Sequence, residues 1–261
     1  MEARRPSLGS SLRIQGRVMH ALLMREVITR FGRDDLGVLW IVAEPMIFTL
    51  GVMTLWTAAG LSHVTALPVA AFAITGYSAV LLWRNCASRA SMAIESNRAL
   101  LYHRYVRPID VFLTRIVLEV AGATASFFVL ATFFTWFGWM PMPMDLLKVL
   151  LGWFMLAWFG TGLALVIGAG TAYSQVVERL WPPAAYLIFP ISGAAFMVDW
   201  LPPVFQDAVL LLPMVHGTEL LRDGYFGHTV RTHYDIGYMA LCCLLLTLLG
   251  LHLVREAGRR I

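Results

Sequence analysis

Glu44 and Pro45 stand about two turns inside an apolar run, LGVLWIVAEPMIF at residues 36–48, directly behind an arginine-rich segment. A carboxylate and a helix breaker at that depth are costly in hydrocarbon unless something uses or shelters them. An ion or proton site is the first chemistry such an acid suggests, yet no ligand partners accompany it. Three roles stay open for the pair: breaking the span, bonding backbone freed by the proline, or bordering the path of a transported molecule.

Other chemistry is sparse. Arg115 and Glu119 lie at i, i+4 and form a self-satisfying pair at the inner end of an apolar helix. The single lysine, Lys148 in DLLKVLL, leaves no GxxxxGK[ST] loop, so ATP hydrolysis by this chain is excluded. There is no GxSxG, no HExxH and no histidine pair on an apolar segment, which argues against an intramembrane hydrolase. His216, His228 and His233 are irregularly spaced, and Cys86, Cys242 and Cys243 read as small buried residues. No catalytic residue, metal or cofactor is expected on this chain.

The elements that position these residues are membrane helices. Of 261 residues, 59% are hydrophobic and 14% charged, with a mean hydropathy of +0.70. A soluble domain is about half apolar and a quarter charged. The excess falls in runs long enough to cross ~30 Å of hydrocarbon. Six spans are read, at 36–56, 64–83, 111–137, 146–172, 180–198 and 236–254. No cleavable signal peptide is expected, because the first 35 residues hold no apolar h-region. Net charge is +4, but its placement argues for topology over nucleic-acid binding. Arginines gather in residues 1–35, at 84–107, at 179 and at 255–260, whereas the alternate side carries only Lys148, Arg222 and Arg231. Both termini are therefore placed in the cytoplasm.

Between the spans, residues 1–11 read as disordered, and 12–35 as an interfacial helix whose polar face shifts near residues 20–23, with Asp34 or Asp35 capping the first span. The loop at 84–110 is either a solvated linker helix or a docking element, with Arg89, Glu95, Arg98 and Arg104 as charge and Leu101 and Tyr102 as part of an apolar plug. Pro108 stops that loop and Asp110 caps the third span. The external segment 199–235 holds two proline-led apolar stretches too short to span, the pattern of a re-entrant hairpin or of a loop resting on the surface. Residues 255–261 form a tail.

RFGRDDLGVLWIVAEP, then ESNRALLYHRYVRPIDVFLTRIVLE, then LPMVHGTELLRDGYFG resemble, in register, the membrane subunit of the capsular polysaccharide ABC exporter of Gram-negative bacteria, within the ABC-2 permease superfamily. The likeness runs from about residue 12 to residue 255. It implies an all-α integral membrane fold of six transmembrane helices with an N-terminal interfacial helix and an external re-entrant hairpin. It also implies a multi-pass protein of the bacterial inner membrane, a homodimer on two copies of a cytosolic ABC ATPase that binds ATP and Mg2+, and export of a lipid-linked acidic polysaccharide. A periplasmic adaptor or co-polymerase, an outer-membrane channel and membrane lipids complete the implied partners, with no nucleic acid. By this resemblance Arg13, Arg17, Arg25 and Arg30 belong to a cytoplasmic gate, and Arg89, Glu95, Arg98, Leu101, Tyr102 and Arg104 to ATPase coupling. Pro202, Pro203, Pro213, His216, Glu219 and Arg222 fall in a periplasmic gate. Glu44 and the aromatics Trp40, Tyr186 and Phe189 are channel-facing candidates, although aromatics also anchor membrane interfaces. Exporters of O-antigen, teichoic acid or a drug are the nearest alternatives, and an intramembrane enzyme or ATP-independent channel the alternative from another class.

Overall fold

The computed structural model describes residues 8–31, 37–60, 67–101 and 106–259. Tyr102, Arg104 and residues 32–36, with the expected caps Asp34 and Asp35, lie outside the described residues, as do the side chains of Arg30 and Pro45. Among the described residues eleven α-helices follow one another: α1 (Leu8–Phe31), α2 (Gly37–Ala58), α3 (Val69–Ser91), α4 (Ala93–Ser96), α5 (Arg98–Leu101), α6 (Pro108–Trp136), α7 (Leu146–Tyr173), α8 (Gln175–Ile188), α9 (Pro203–Val209), α10 (Pro213–Phe226) and α11 (Ile236–Ala257). No strand occurs among the described residues. α1 begins at Leu8, so the end of the segment read as disordered is helical.

Helix starts follow local chemistry. Pro108 opens α6, and the Asp110 carboxylate accepts from the Arg107 N–H at 3.0 Å, as the sequence suggests. Asp145, Ser174 and Asp235 cap α7, α8 and α11 by accepting from Lys148, Val176 and Tyr238 N–H groups.

Three helices among the described residues, α6, α7 and α11, are long and apolar enough to cross a membrane. The other expected spans fall on α2, whose described apolar part is Val42–Ala58, on α3, which carries Arg84 and Arg89, and on the 14-residue α8. That last span, expected at 180–198, is not one continuous helix. After Ile188 the chain makes a 3-10 turn at Phe189–Ile191, then Gly193 takes φ +82°. Pro190 supplies no N–H to continue the ladder, and a left-handed glycine ends it. Conversely, α2 runs unbroken through residue 45, so the proline does not split it. Ser126 on α6 donates to the Val42 carbonyl at 2.6 Å, adding a bond from a neighbouring helix at that turn.

At the centre lies α7, packed against α3, α6, α8, α10 and α11. Its glycines permit that. A Cβ on Gly152 would stand 2.7 Å from the Leu221 nitrogen, and one on Gly160 would stand 2.8 Å from the Trp83 Cα. Both obstacles are backbone, so helix axes must separate if either glycine is enlarged. Gly160→Leu is expected to destabilise the chain by about 1–3 kcal/mol, seen as a lower melting temperature in detergent. Gly16→Leu, at a position with nothing within 4 Å, is expected to leave it unchanged.

Candidate functional site

Glu44 is answered by an arginine 45 residues away. Arg89, near the end of α3, places Nη2 3.3 Å from both Glu44 carboxylate oxygens and Nε 3.5 Å from Glu119 on α6. Arg115, a turn before Glu119, turns toward α1: its Nε lies 3.2 Å from Glu26, and its Nη1 donates to the Arg89 carbonyl at 2.9 Å. One charged network thus ties α1, α2, α3 and α6 together. The carboxylate that looked like an ion site is one half of an inter-helix pair, and its side chain is 49% exposed on the face of α2 that also presents Trp40, Ile47, Phe48 and Leu55.

α1 is docked alongside. Gln15 donates to Asp110, Leu22 is buried, and Arg25 donates to Asn97 at 2.6 Å. Asn97 sits in the break between α4 and α5 and also donates to the Ala93 carbonyl. Arg13 and Arg17 are exposed, as are Glu95 and Arg98, while Leu101 is half-buried. The gate and coupling arginines therefore divide. Arg25 and Arg89 bind other helices, and Arg13, Arg17 and Arg98 point into the surroundings.

Next to the network, a cluster of aromatic rings joins α3 to α2 and to the turn after α8. Tyr77 packs on Phe48, Trp56 and Phe189 with centroids 6.0, 5.4 and 5.2 Å away. Phe72 stacks between Trp56 and Trp200 at 5.7 and 5.2 Å. Phe189 is partly buried in this strip, whereas Tyr186 is 70% exposed beside it.

At the opposite end of the bundle, α10 holds three backbone segments with one row of side chains at i, i+3 and i+6. Arg222, fully buried, donates to the carbonyls of Gly193, Phe196 and Ala194 at 2.6, 2.6 and 2.7 Å, and its guanidinium lies 3.9 Å from the Phe72 ring centroid. Glu219 accepts from the N–H groups of Val198 at 3.2 Å and His233 at 3.0 Å. His216 Nδ1 accepts from the Asp235 N–H, so Nε2 carries the proton and donates to the Leu210 carbonyl at 2.7 Å. Lys148 pairs with Asp223 at 2.7 Å, and Tyr234 donates to the same oxygen. Burial, then that bond, raises the Tyr234 hydroxyl above its ordinary pKa. α9 and α10 meet at 106° across the break before Pro213, which is half-buried, whereas Pro202 and Pro203 are exposed. The polar residues assigned to an outer gate thus hold backbone and are buried.

Sequence reasoning missed Arg84, Phe48, Phe72, Asn97 and Gln15. Arg84 was visible as a charge ending an apolar run, but it counted only toward topology. The rings carried no signal that separates a packed aromatic cluster from an interfacial belt.

Comparison with known proteins gives one direction. The ABC-2 type transporter family matches residues 17–226. The capsule polysaccharide export inner-membrane protein CtrC of Neisseria meningitidis serogroup B is 42% identical over 253 residues, which cover 97% of this chain and 96% of that protein. BexB of Haemophilus influenzae, a capsule polysaccharide export inner-membrane protein, is 41% identical over 96% of this chain and 95% of its own length. The polysialic acid transport protein KpsM of Escherichia coli is 25% identical over 94% and 95%.

The two charged centres differ in what their loss does. Arg222→Met leaves three buried carbonyls unpaired and is expected to cost about 3–5 kcal/mol. Glu44→Gln, in a half-exposed pair, is expected to cost only about 0.2–1 kcal/mol. Melting temperatures of the full chain in detergent check both. A larger drop for Glu44→Gln than for Arg222→Met contradicts the assignment.

Proposed function

Because the chain belongs to the ABC-2 type transporter family, we propose that it is the channel-forming membrane subunit of an ATP-driven exporter of lipid-linked, acidic capsular polysaccharide. It is a transporter subunit and not an enzyme, works with an ABC ATPase and resides in the inner membrane. The observation that carries the reading is the end-to-end likeness to capsule polysaccharide export proteins. The geometry is compatible with it, since sugars have polar edges and apolar ring faces, and α2 and α8 expose the rings Trp40, Phe48 and Tyr186 beside the ion-paired network.

We further infer six membrane crossings with both termini cytoplasmic, an outer re-entrant hairpin made by α9 and α10, and a homodimer on two ATPase copies. A periplasmic adaptor and an outer-membrane channel continue the path. The dimer closes over the exposed face of α2, with Trp40, Ile47 and Leu55, and that of α8, with Val176, Leu180 and Leu187; all six are largely exposed in the single chain. Closure of the ATPases on ATP pushes on α4 and α5. These follow directly from α3, whose Arg89 grips α2 through Glu44, and they hold α1 through Asn97 and Arg25. A push there reaches the inner mouth and the dimer face together.

Deleting the gene is expected to abolish surface capsule while polymer accumulates inside the cell. Replacing the Walker-A lysine of the ATPase is expected to do the same, and export that survives it excludes an ATP-driven path. Leu55→Cys is expected to cross-link two copies in membranes; absence of any dimer there contradicts the interface. Arg98→Glu is expected to weaken co-purification with the ATPase, and unchanged assembly and export removes α5 from the docking surface.

A further inference from the structure

The basic side chains inside the bundle are nearly all accounted for. Arg89 and Arg115 pair with carboxylates, Lys148 pairs with Asp223, and Arg222 donates to three carbonyls. Arg84 is different. It lies on α3 between Tyr77 and Arg89, and its guanidinium carbon stands 5.5 Å from the Phe48 centroid, 5.6 Å from Tyr186 and 5.9 Å from Phe189. Among the described residues no carboxylate stands within ion-pair distance of it. The nearest acid along α2, Glu44, is one turn from Phe48 and is taken by Arg89.

Three rings, from α2, α8 and the turn after α8, therefore hold one half-buried guanidinium. Cation–π contact engages the charge but uses none of the five N–H donors, which remain for a planar anion such as a carboxylate. Tyr186, at 70% exposure, keeps the spot open to the face where the proposed dimer closes, and its ring offers the flat apolar surface on which a sugar stacks. A single cation also suits a moving ligand. Binding must be strong enough to admit the next unit and weak enough to release it.

Resting on the export reading above, we propose that Arg84, with Tyr186 and Phe189, is a specificity-determining site that binds the carboxylate of an acidic sugar as the polymer passes. The site distinguishes acidic chains from neutral ones at the cytoplasmic third of α3, apart from the basic inner surface of α1.

The test uses the full chain with its ATPase in vesicles, supplied with an acidic polysaccharide or with the same polymer after reduction of its carboxyls to alcohols. Arg84→Gln is expected to cut transport of the acidic polymer about tenfold or more and to leave the reduced polymer unchanged. Arg84→Lys is expected to keep part of the acidic transport. Equal loss of both polymers, or loss of neither, overturns the proposal. Raising phosphatidylglycerol in the vesicles is expected to leave the acidic-to-neutral ratio of the wild-type chain unchanged. A ratio that collapses with this lipid, and is already collapsed in Arg84→Gln, assigns the cation to headgroups and also overturns the proposal. Binding of the acidic oligosaccharide to the chain in neutral nanodiscs, read by tryptophan quenching, separates the two readings. If the wild-type chain transports neither polymer beside an active ATPase, the export reading fails. The nanodisc arm still judges Arg84: binding about tenfold weaker in Arg84→Gln supports the site, and equal binding overturns it.

Discussion

A buried guanidinium with three carbonyls fixes the end of the bundle where α8 gives way to irregular backbone. Pro190 and Gly193 end the helical ladder after α8 and leave peptide oxygens with no partner inside their own segment. In a membrane no water is at hand to satisfy them. Arg222 arrives from α10 and takes Gly193, Ala194 and Phe196 together. Gly76 on α3 makes this possible, because a Cβ there would collide with the Ala194 oxygen and the Arg222 side chain. Irregular backbone, a small residue and a charge thus form one unit, and each makes sense only with the other two. Glu219 and His216 extend it by holding the loops before and after α10.

The other end, where α1 docks, obeys the same physics with different partners. There the charges neutralise one another across helices: Glu26 with Arg115, Arg89 with Glu44 and Glu119. Of these, the Arg89–Glu44 pair is half-exposed, whereas Arg115 and Glu26 are largely buried. The two ends of the bundle thus satisfy their charges differently, one through backbone carbonyls and the other through carboxylates.

Much of the helix inventory was legible because its signals are local. Asp110 and Pro108 mark the start of α6, proline marks α9 and α10, and uninterrupted apolar length marks α7 and α11. What escaped were consequences of contacts between distant residues. Arg89 read as a docking charge because nothing near it in sequence shows Glu44 beside it. The apolar run at 180–198 read as a span because hydropathy does not register that Arg222 waits to receive its carbonyls. A break at Pro45 stayed one of three open roles because nothing in the local sequence shows that α2 runs on through it, with Ser126, 84 residues away, bonding the Val42 carbonyl. Tyr186 and Phe189 were picked out as rings, but the cation they surround was counted only as topology.

The glycine face of α7 sets how the protein divides mechanically. Where backbone meets backbone at Gly152 and Gly160, no flexible side chain lies between to absorb sliding, and packed interiors resist compression. α7 with α3 and α10 therefore acts as a stator. α2 has no such approach at Gly51, which has open space around it, and it joins its neighbours through rings and ion pairs that can exchange partners. Shear along α2 is the motion this architecture leaves cheap. Under the export function proposed above, a path for cargo would widen by displacing one helix past a rigid frame, with no need to pull the frame apart.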